Sequence, residues 1–217
     1  MTKKMICRTT FQDPIDPNDI VVALARCVRV FSLTQIIDGF FDGHDRIAKR
    51  QIDNYLADGL VVCSKLLARQ LPMPSSPLYV WSVGDRPPKY FSLVAKARNR
   101  WLNAETIVTK TYTLGPNAAK MFGLKSRVRL SHPLQVSHDL GLAGVYLAIW
   151  RDRLELAKQW VGEDLAKRER GQIPDAVLVG PFGRTLKAIE YCGLYSADRF
   201  KRFHQHCVSR RLPYELW

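Results

Sequence analysis

The sequence predicts a mixed α+β protein in two parts, and three observations carry that expectation. Residues 18–57 read as three short helices, stopped by Asp58-Gly59 and followed by apolar runs at 60–63 and 79–83. The last eighty residues alternate helical patterns with short apolar runs in the order α-β-β-β-α-β. Pro87-Pro88 stands between them as the expected boundary, giving parts 1–86 and 87–217, with 87–137 as an extension that opens the second part. With 217 residues and 47% hydrophobic content, the chain is long and apolar enough to bury a real core.

In the first part, Pro14 and Pro17 mark residues 1–16 as tail or loop. Asn18 or Asp19 is placed to cap a helix reaching about residue 30, with Ile20, Leu24, Cys27 and Val28 as its apolar stripe. Ser32 is the expected N-cap of a second helix that ends near Gly39. A third helix follows over 44–57. Helical spacing sets Ala48, Ile52, Tyr55 and Leu56 on one face and Arg46, Lys49, Arg50, Asp53 and Asn54 on the other. The runs at 60–63 and 79–83 are expected to pair as a hairpin, with Lys65, Arg69 and the proline-rich stretch 72–77 between them. Beyond Pro88, a helix over 91–102, a β-branched strand over 106–114 and a short helix over 117–122 are expected.

The final part opens with a helix over 138–151, for which Ser137 is the expected cap. Strands follow at 156–161, 174–179 and 186–190, with Gly183 turning the last two. Ser196 caps a helix over 197–208, and 212–217 is a closing strand. Glu163, Asp175 and Glu190 then fall at or beside strand ends, and His138-Asp139 at a helix start.

Net charge is +13, which points to a polyanion, with nucleic acid the usual one. Residues 1–85 carry a net +1 and residues 138–217 a net +3; residues 86–137 carry ten basic groups against Glu105 alone. Lys96, Arg98, Arg100, Lys125, Arg127 and Arg129 lie in that belt, interleaved with Tyr90, Trp101, Tyr112 and Phe122, and are expected along a phosphate backbone. An ordinary solvated basic face is the plainer reading. The five cysteines are scattered and odd in number, which fits a reduced, cytoplasmic protein. No apolar run of membrane-spanning length is present, so no membrane partner is expected.

Leu33-Thr34-Gln35-Ile36 and the stretch Arg50-Gln51-Ile52-Asp53-Asn54-Tyr55-Leu56-Ala57-Asp58-Gly59-Leu60-Val61 resemble the winged helix-turn-helix of DNA-binding regulators, whose third helix enters the major groove. There Arg46, Lys49, Arg50 and Asn54 would meet the DNA, Arg suiting guanine edges and Asn adenine. Ile173-Pro174-Asp175-Ala176, Ile189-Glu190 and Glu163 resemble the PD-(D/E)xK, or restriction-endonuclease-like, domain. With Ser137-His138-Asp139-Leu140 and Trp160-Val161-Gly162-Glu163, the whole is similar to the replication-relaxation family of plasmids and other mobile elements. That resemblance implies double-stranded DNA, a second copy of the chain and other mobilisation proteins as partners. The implied role is in relaxation, mobilisation or transcriptional control.

The acids also argue for themselves. Hydrolysis of a phosphodiester needs a cation, and Mg2+ prefers oxygen ligands, so Asp175, Glu190 and Glu163 are the candidate metal ligands and catalytic acids. The motif's lysine, two residues past the last acid, is replaced by Cys192. A thiol supplies no positive charge, and Lys187, an odd number of residues away, faces the other side of a regular strand. Lys158 and Arg184 are the remaining basic candidates. The sequence therefore favours DNA binding without catalysis and without a required cofactor. A Mg2+-dependent endonuclease with a displaced lysine is the alternative, and a purely protein-binding adaptor is the third; for the acids themselves a structural role is the plainer account, with metal binding without turnover beside it. His204, His206 and Cys207 have poor spacing for shared metal ligation.

Overall fold

The computed structural model describes residues 20–124, 130, 132–166 and 172–217. Its elements are α1 (Ile20–Arg26), β1 (Val30–Ser32), α2 (Leu33–Phe40), α3 (Asp45–Ala57), β2 (Val61–Arg69), β3 (Tyr79–Trp81), α4 (Tyr90–Leu102), β4 (Thr106–Leu114), α5 (Pro116–Met121), α6 (Pro133–Asp152), α7 (Leu154–Ala157), β5 (Trp160–Gly162), β6 (Ala176–Val179), β7 (Thr185–Glu190), α8 (Ala197–Ser209) and β8 (Tyr214–Leu216). The protein is therefore mixed α+β. No helix among the described residues is long and apolar enough to cross a membrane.

Local chemistry accounts for the helix starts. The Ser32 hydroxyl accepts from the Gln35 amide N–H while the Gln35 side chain accepts from Ser32 N–H, a complete capping box for α2. The Ser196 hydroxyl caps α8 by accepting from Arg199 N–H, without the reciprocal bond. Ser137 is not a cap. Helix α6 begins a turn earlier at Pro133, whose fixed φ suits a first helical residue. The Ser137 hydroxyl lies inside, donating to Pro133 O and accepting from Arg69 N–H. The expected caps of α1, Asn18 and Asp19, lie outside the described residues.

The strands divide between two sheets in the orders β1-β4-β2 and β3-β8-β7-β6-β5. This corrects the expected hairpin: the segment at 79–81 does not pair with β2 but forms the edge of the second sheet, antiparallel to β8. Strand β2 continues to Arg69 and pairs instead with β4 along nine residues, Val61 opposite Leu114 and Arg69 opposite Thr106. The chain thus crosses between the sheets on both sides of Pro87-Pro88. Two further expectations change. The first helix stops at Arg26, and Val30 and Phe31, β-branched and aromatic, form a buried strand instead. Residues 154–157, Leu-Glu-Leu-Ala, are strong helix formers and make a helical turn, leaving only Trp160–Gly162 as strand. Strands β5, β6 and β7 are antiparallel, whereas β8 returns through α8 to lie parallel to β7.

Helix α6 lies between the two sheets and is buried on every side from Val136 to Ile149, except at His138. A helix apolar all round needs cover all round. It is supplied by β1 and β2 of the first sheet, by α2 and α7, and by the inward face of the second sheet through Leu178, Ile189 and Trp217. The opposite face of that sheet, with Ala188, Tyr214 and Leu216, packs on α4 and α8 through Leu93, Ala97, Phe200 and Phe203. Alternation along β7 and β8 therefore feeds two cores.

The approach of α6 to the second sheet depends on Gly141. A Cβ there would meet the Tyr191 ring at 2.1 to 2.5 Å. At Gly144 a Cβ would meet Pro74 Cδ at 3.1 Å, a contact that small shifts relieve. An alanine in a helix interior ordinarily stabilises by about 1 kcal/mol relative to glycine. We predict the reverse for Gly141→Ala, a loss of roughly 1–3 kcal/mol from overpacking in urea denaturation, with Gly144→Ala close to neutral.

Candidate functional site: a carboxylate cluster held by internal cations

The ends of β5, β6 and β7 meet the first turns of α6, and this junction gathers five acids. Asp175 precedes β6, Glu190 ends β7, Glu163 and Asp164 follow β5, and Asp139 sits on α6. Backbone pairing fixes the arrangement, with Glu163 N–H donating to Asp175 O at 3.0 Å. Asp175 Oδ2 accepts from Tyr191 N–H at 2.7 Å, and Glu190 Oε2 accepts from Asp175 N–H at 3.3 Å. The sequence-derived trio Glu163, Asp175 and Glu190 is thus brought to one place, together with Asp139 and Asp164.

The cations of the site come from elsewhere in the chain. Arg29, on the loop between α1 and β1, binds Asp164 through two hydrogen bonds of 2.6 and 3.0 Å, pairs with Glu163, and stands 3.8 Å from Asp139 Oδ2. The loop is pinned to β5. The Trp160 indole N–H donates to Cys27 O at 2.9 Å, and Gly162 permits the approach because a Cβ there would meet Cys27 O at 2.5 Å. His138 places Nε2 3.0 Å from Tyr191 O and 3.3 Å from Asp175 Oδ2, with Nδ1 3.4 Å from Asp139 Oδ1. Acceptors face both ring nitrogens, which suits the doubly protonated imidazolium. Glu190 is 1% exposed and accepts from the Tyr195 hydroxyl at 2.7 Å. Arg199 lies over the Tyr195 ring, donates to its hydroxyl at 2.8 Å and reaches within 3.8 Å of Glu190.

Titration follows from this geometry. Burial, reinforced by the Asp175 charge, pushes the Glu190 carboxyl up to about 8. Burial opposes the charged form of His138, but Asp175 and Asp139 outweigh it and hold the imidazolium well above its ordinary range. Burial also raises Glu163, with Arg29 pulling the other way. The Arg29 guanidinium is held charged still more firmly than usual by its hydrogen bonds to Asp164, against burial.

None of the basic residues expected to supply the missing lysine reaches this cluster. Cys192 is fully buried among α4 and α8 side chains, where burial raises its thiol well above the ordinary range. Lys187 faces the opposite side of β7, as parity requires, and pairs with Glu215, which also binds Arg153. Lys158 pairs with Glu155, and Arg184 lines a separate cavity with His206 and Arg210. His204 bonds the Tyr214 hydroxyl at 2.9 Å. Among the described residues, no group of three or more His, Cys, Asp or Glu side chains is disposed to hold a metal ion. The donor chemistry, all oxygen, suits Mg2+, but the arrangement does not: the carboxylates point to Arg29, His138, Tyr191 N–H and Tyr195 rather than to a common centre.

The expected DNA-contacting residues divide. Arg46, Lys49, Arg50 and Asn54 are exposed along α3, Lys49 paired only with Asp45 one turn back, while Ala48 and Ile52 are buried beneath them. Lys65, Lys96 and Arg98 are exposed. Arg69 and Arg100 are turned inward, a correction to their expected role. Arg69 donates to Trp101 O and Ala104 O, closing the end of α4. Arg100 donates to Cys192 O and Trp217 O and stacks over Tyr191. Lys125, Arg127 and Arg129 lie outside the described residues. Sequence reasoning missed Arg29, Tyr195 and Arg199. The last two are four residues apart and stack, a local signal, whereas Arg29 lies 135 residues from Asp164 and leaves none.

Comparison with protein-family models, with curated proteins and with solved structures finds no match to this chain.

The Glu190 shift predicts a pH dependence. An unfolded glutamate loses its proton near 4.5, whereas the folded one keeps it to about 8, so this group destabilises the fold progressively as pH rises across that interval. His138 acts in the same sense. Its contribution is complete below 6.5 and is lost as pH rises through its raised value. Stability from urea denaturation should therefore fall between pH 5 and pH 8, and Glu190→Gln, which has no proton to lose, should flatten the slope. An unchanged slope in that variant would place the titration elsewhere.

Proposed function

We propose that this protein binds double-stranded DNA without cutting it, through a winged helix-turn-helix head carried on a restriction-endonuclease-like scaffold. The succession α1, β1, α2, α3, β2, with β4 returning after β3 and α4 to pair antiparallel with β2 and β1, supports the head. One observation carries the DNA reading. The outer face of α3 and the outer face of the paired strands β2 and β4 both present cations, and among the described residues no carboxylate pairs with Arg46, Arg50, Lys65 or Lys110. Lys65 and Lys110 stand directly opposite each other across the β2–β4 ladder, a like-charge pair that costs stability and that a phosphate would relieve. Neighbouring Leu67 and Val108 are 50% and 63% exposed, so the strip is apolar as well as basic. Such a head would set α3 in the major groove with the β2–β4 ladder along the backbone.

Among the described residues, the cations beside Glu190 and Asp175 are already engaged by protein groups, which supports a scaffold without turnover. The likeness to replication-relaxation proteins makes an accessory mobilisation factor or a transcriptional regulator of a mobile element the specific role we propose, acting as a homodimer in the cytoplasm.

Gel shifts over a salt series test the reading. The wild-type chain should show a steep linear dependence of log affinity on log salt. Arg46→Ala/Arg50→Ala should weaken binding by on the order of 1–3 kcal/mol for each base edge no longer read, and Lys65→Ala should reduce the salt slope by about one. Arg69→Ala should leave that slope unchanged and instead lower fold stability by roughly 1–3 kcal/mol, because two carbonyl oxygens lose their donor. A chain indifferent to duplex in dilute buffer, or plasmid nicking in Mg2+ that Asp175→Ala abolishes, would replace this reading.

A further inference from the structure

The first sheet is left incomplete along β4. Strand β1 pairs with β4 only at Thr111, Tyr112 and Thr113, because the capping box at Ser32 and Gln35 then turns the chain into α2. Residues 106–110 therefore have a strand on the β2 side and none on the other. Parity fixes which backbone groups this leaves open. Glu105 O accepts from Gln70 N–H, and Leu60 O accepts from Gly115 N–H, so the odd-numbered residues of β4 bond β2 and the even-numbered ones face away. The N–H and C=O of Thr106 and Val108 accordingly point to the open side, and among the described residues no backbone group bonds them. The space they face is a slot of about 540 Å3, within the roughly 300–1,000 Å3 of ligand sites. Leu140 and Gly144 of α6 floor it, Thr34 and Asp38 of α2 stand on the far wall, and Pro72 and Pro74 stiffen one end. The Gln35 amide fixes α2 at that distance by donating to Leu140 O at 2.7 Å.

We infer that this slot takes one extended segment of a partner protein, acidic beside Lys110 and apolar over Leu140, which adds to β4 where β1 leaves off. Unpaired groups on a strand edge are the template for such an addition. The guest backbone bonds Thr106 and Val108, and residues 106–110 offer it roughly 16 Å of edge at about 3.3 Å per residue. Its side chains alternate between two surfaces. On the inner face, Ala68 opposite Ile107 and Leu66 opposite Thr109 pack with Leu140, so guest residues there lie on apolar surface. On the outer face they lie beside Val108 and Lys110. Lys65 already repels Lys110 across the ladder, and a carboxylate is the side chain that relieves that pair. Asp38, on the far wall, is the opposing charge, and Arg69 is engaged by Trp101 O and Ala104 O. A single strand suits this space and a second copy of the chain does not. The β4 of another copy would bring its own β2 alongside, where α2 stands.

Random peptides displayed on phage and selected on the full chain without DNA test this independently of the DNA-binding reading. The selected sequences should alternate apolar and acidic residues, and their fluorescein-labelled synthetic forms should bind saturably in anisotropy titrations. Methylating alternate backbone nitrogens of such a peptide should weaken binding at least roughly tenfold, because the added strand loses its donors. Val108→Pro removes an N–H that faces the slot and leaves the bonds to β2 in place, so it should weaken binding by a similar factor. Lys110→Glu should do the same for the acidic peptides. The methylated peptides are compared on the wild-type chain, so that result stands even where Val108→Pro does not fold. The inference is overturned if no peptide is selected, if the selected peptides are basic, or if the methylated forms bind undiminished. It is equally overturned if sedimentation shows a dimer that Val108→Pro dissociates, since a second copy would then hold the edge.

Discussion

A helix with no polar face governs this architecture. Leu140, Leu142, Ala143, Val145, Tyr146, Leu147, Ala148 and Ile149 leave α6 no side to show to water, so the chain must wrap it. The first sheet with α1 and α2 covers one side and the second sheet the other, and a single core runs from Ile20 to Trp217. The crossing of segments between sheets serves the same end. With β4 returned to the first sheet and β3 sent to the second, the two halves are braided around the helix rather than strung beside each other. That braid carries His138 and Asp139, on the first turns of α6, to the ends of β6 and β7.

The electrostatics of the acid cluster follow from that placement. Charges brought so deep must be paired, hydrogen-bonded or neutralised by proton uptake. All three occur within a few residues. Arg29 pairs Asp164 and Glu163, His138 and Tyr191 N–H serve Asp175, and Glu190, fully buried beside the Asp175 charge, is pushed toward keeping its proton. The cluster thereby ties the loop after α1 to the end of the second sheet, so the head that we propose meets DNA and the scaffold behind it share one charged joint. A lysine two residues past Glu190 would have supplied the missing charge. Cys192 adds a buried thiol to the apolar layer under α8 instead.

Local signals in the sequence translated well into structure. Ser32 with Gln35, Ser196, the β-branched run that became β4, and the two faces of α3 all rest on interactions within a few residues, and each is found as expected. Two local readings failed, Ser137 as a cap and the start of the strand expected at 156–161, but the larger failures depended on distant partners. Residues 79–81 read as a strand correctly, but the partner, β8, lies beyond residue 210, and nothing near Tyr79 encodes it. The acids at strand ends were legible because strand ends are local. Their counter-ions were not, because Arg29 and Arg199 approach through tertiary packing. Arg69 and Arg100 mark the same limit from the other side: in a basic stretch they look like surface, and only the fold shows carbonyl oxygens waiting for them.

Those two arginines also separate charge from contact. A guanidinium bonded to carbonyl oxygens keeps its full positive charge, because a carbonyl is a dipole and cancels none of it. Arg69 and Arg100 therefore still add to the long-range field that draws a polyanion inward, although neither can reach a phosphate. Arg29, Arg153 and Lys187 differ, since carboxylates neutralise them locally. The 33 lysines and arginines of the chain therefore outnumber the cations that could touch a polyanion, while the net +13, from which the acids are already subtracted, sets the long-range field. In the DNA-binding reading we propose, association rate and salt dependence should then report on different residues: the rate on the charge of the whole chain, the slope on the cations a backbone can meet, which among the described residues are those of α3, the paired strands β2 and β4 and the outer face of α4.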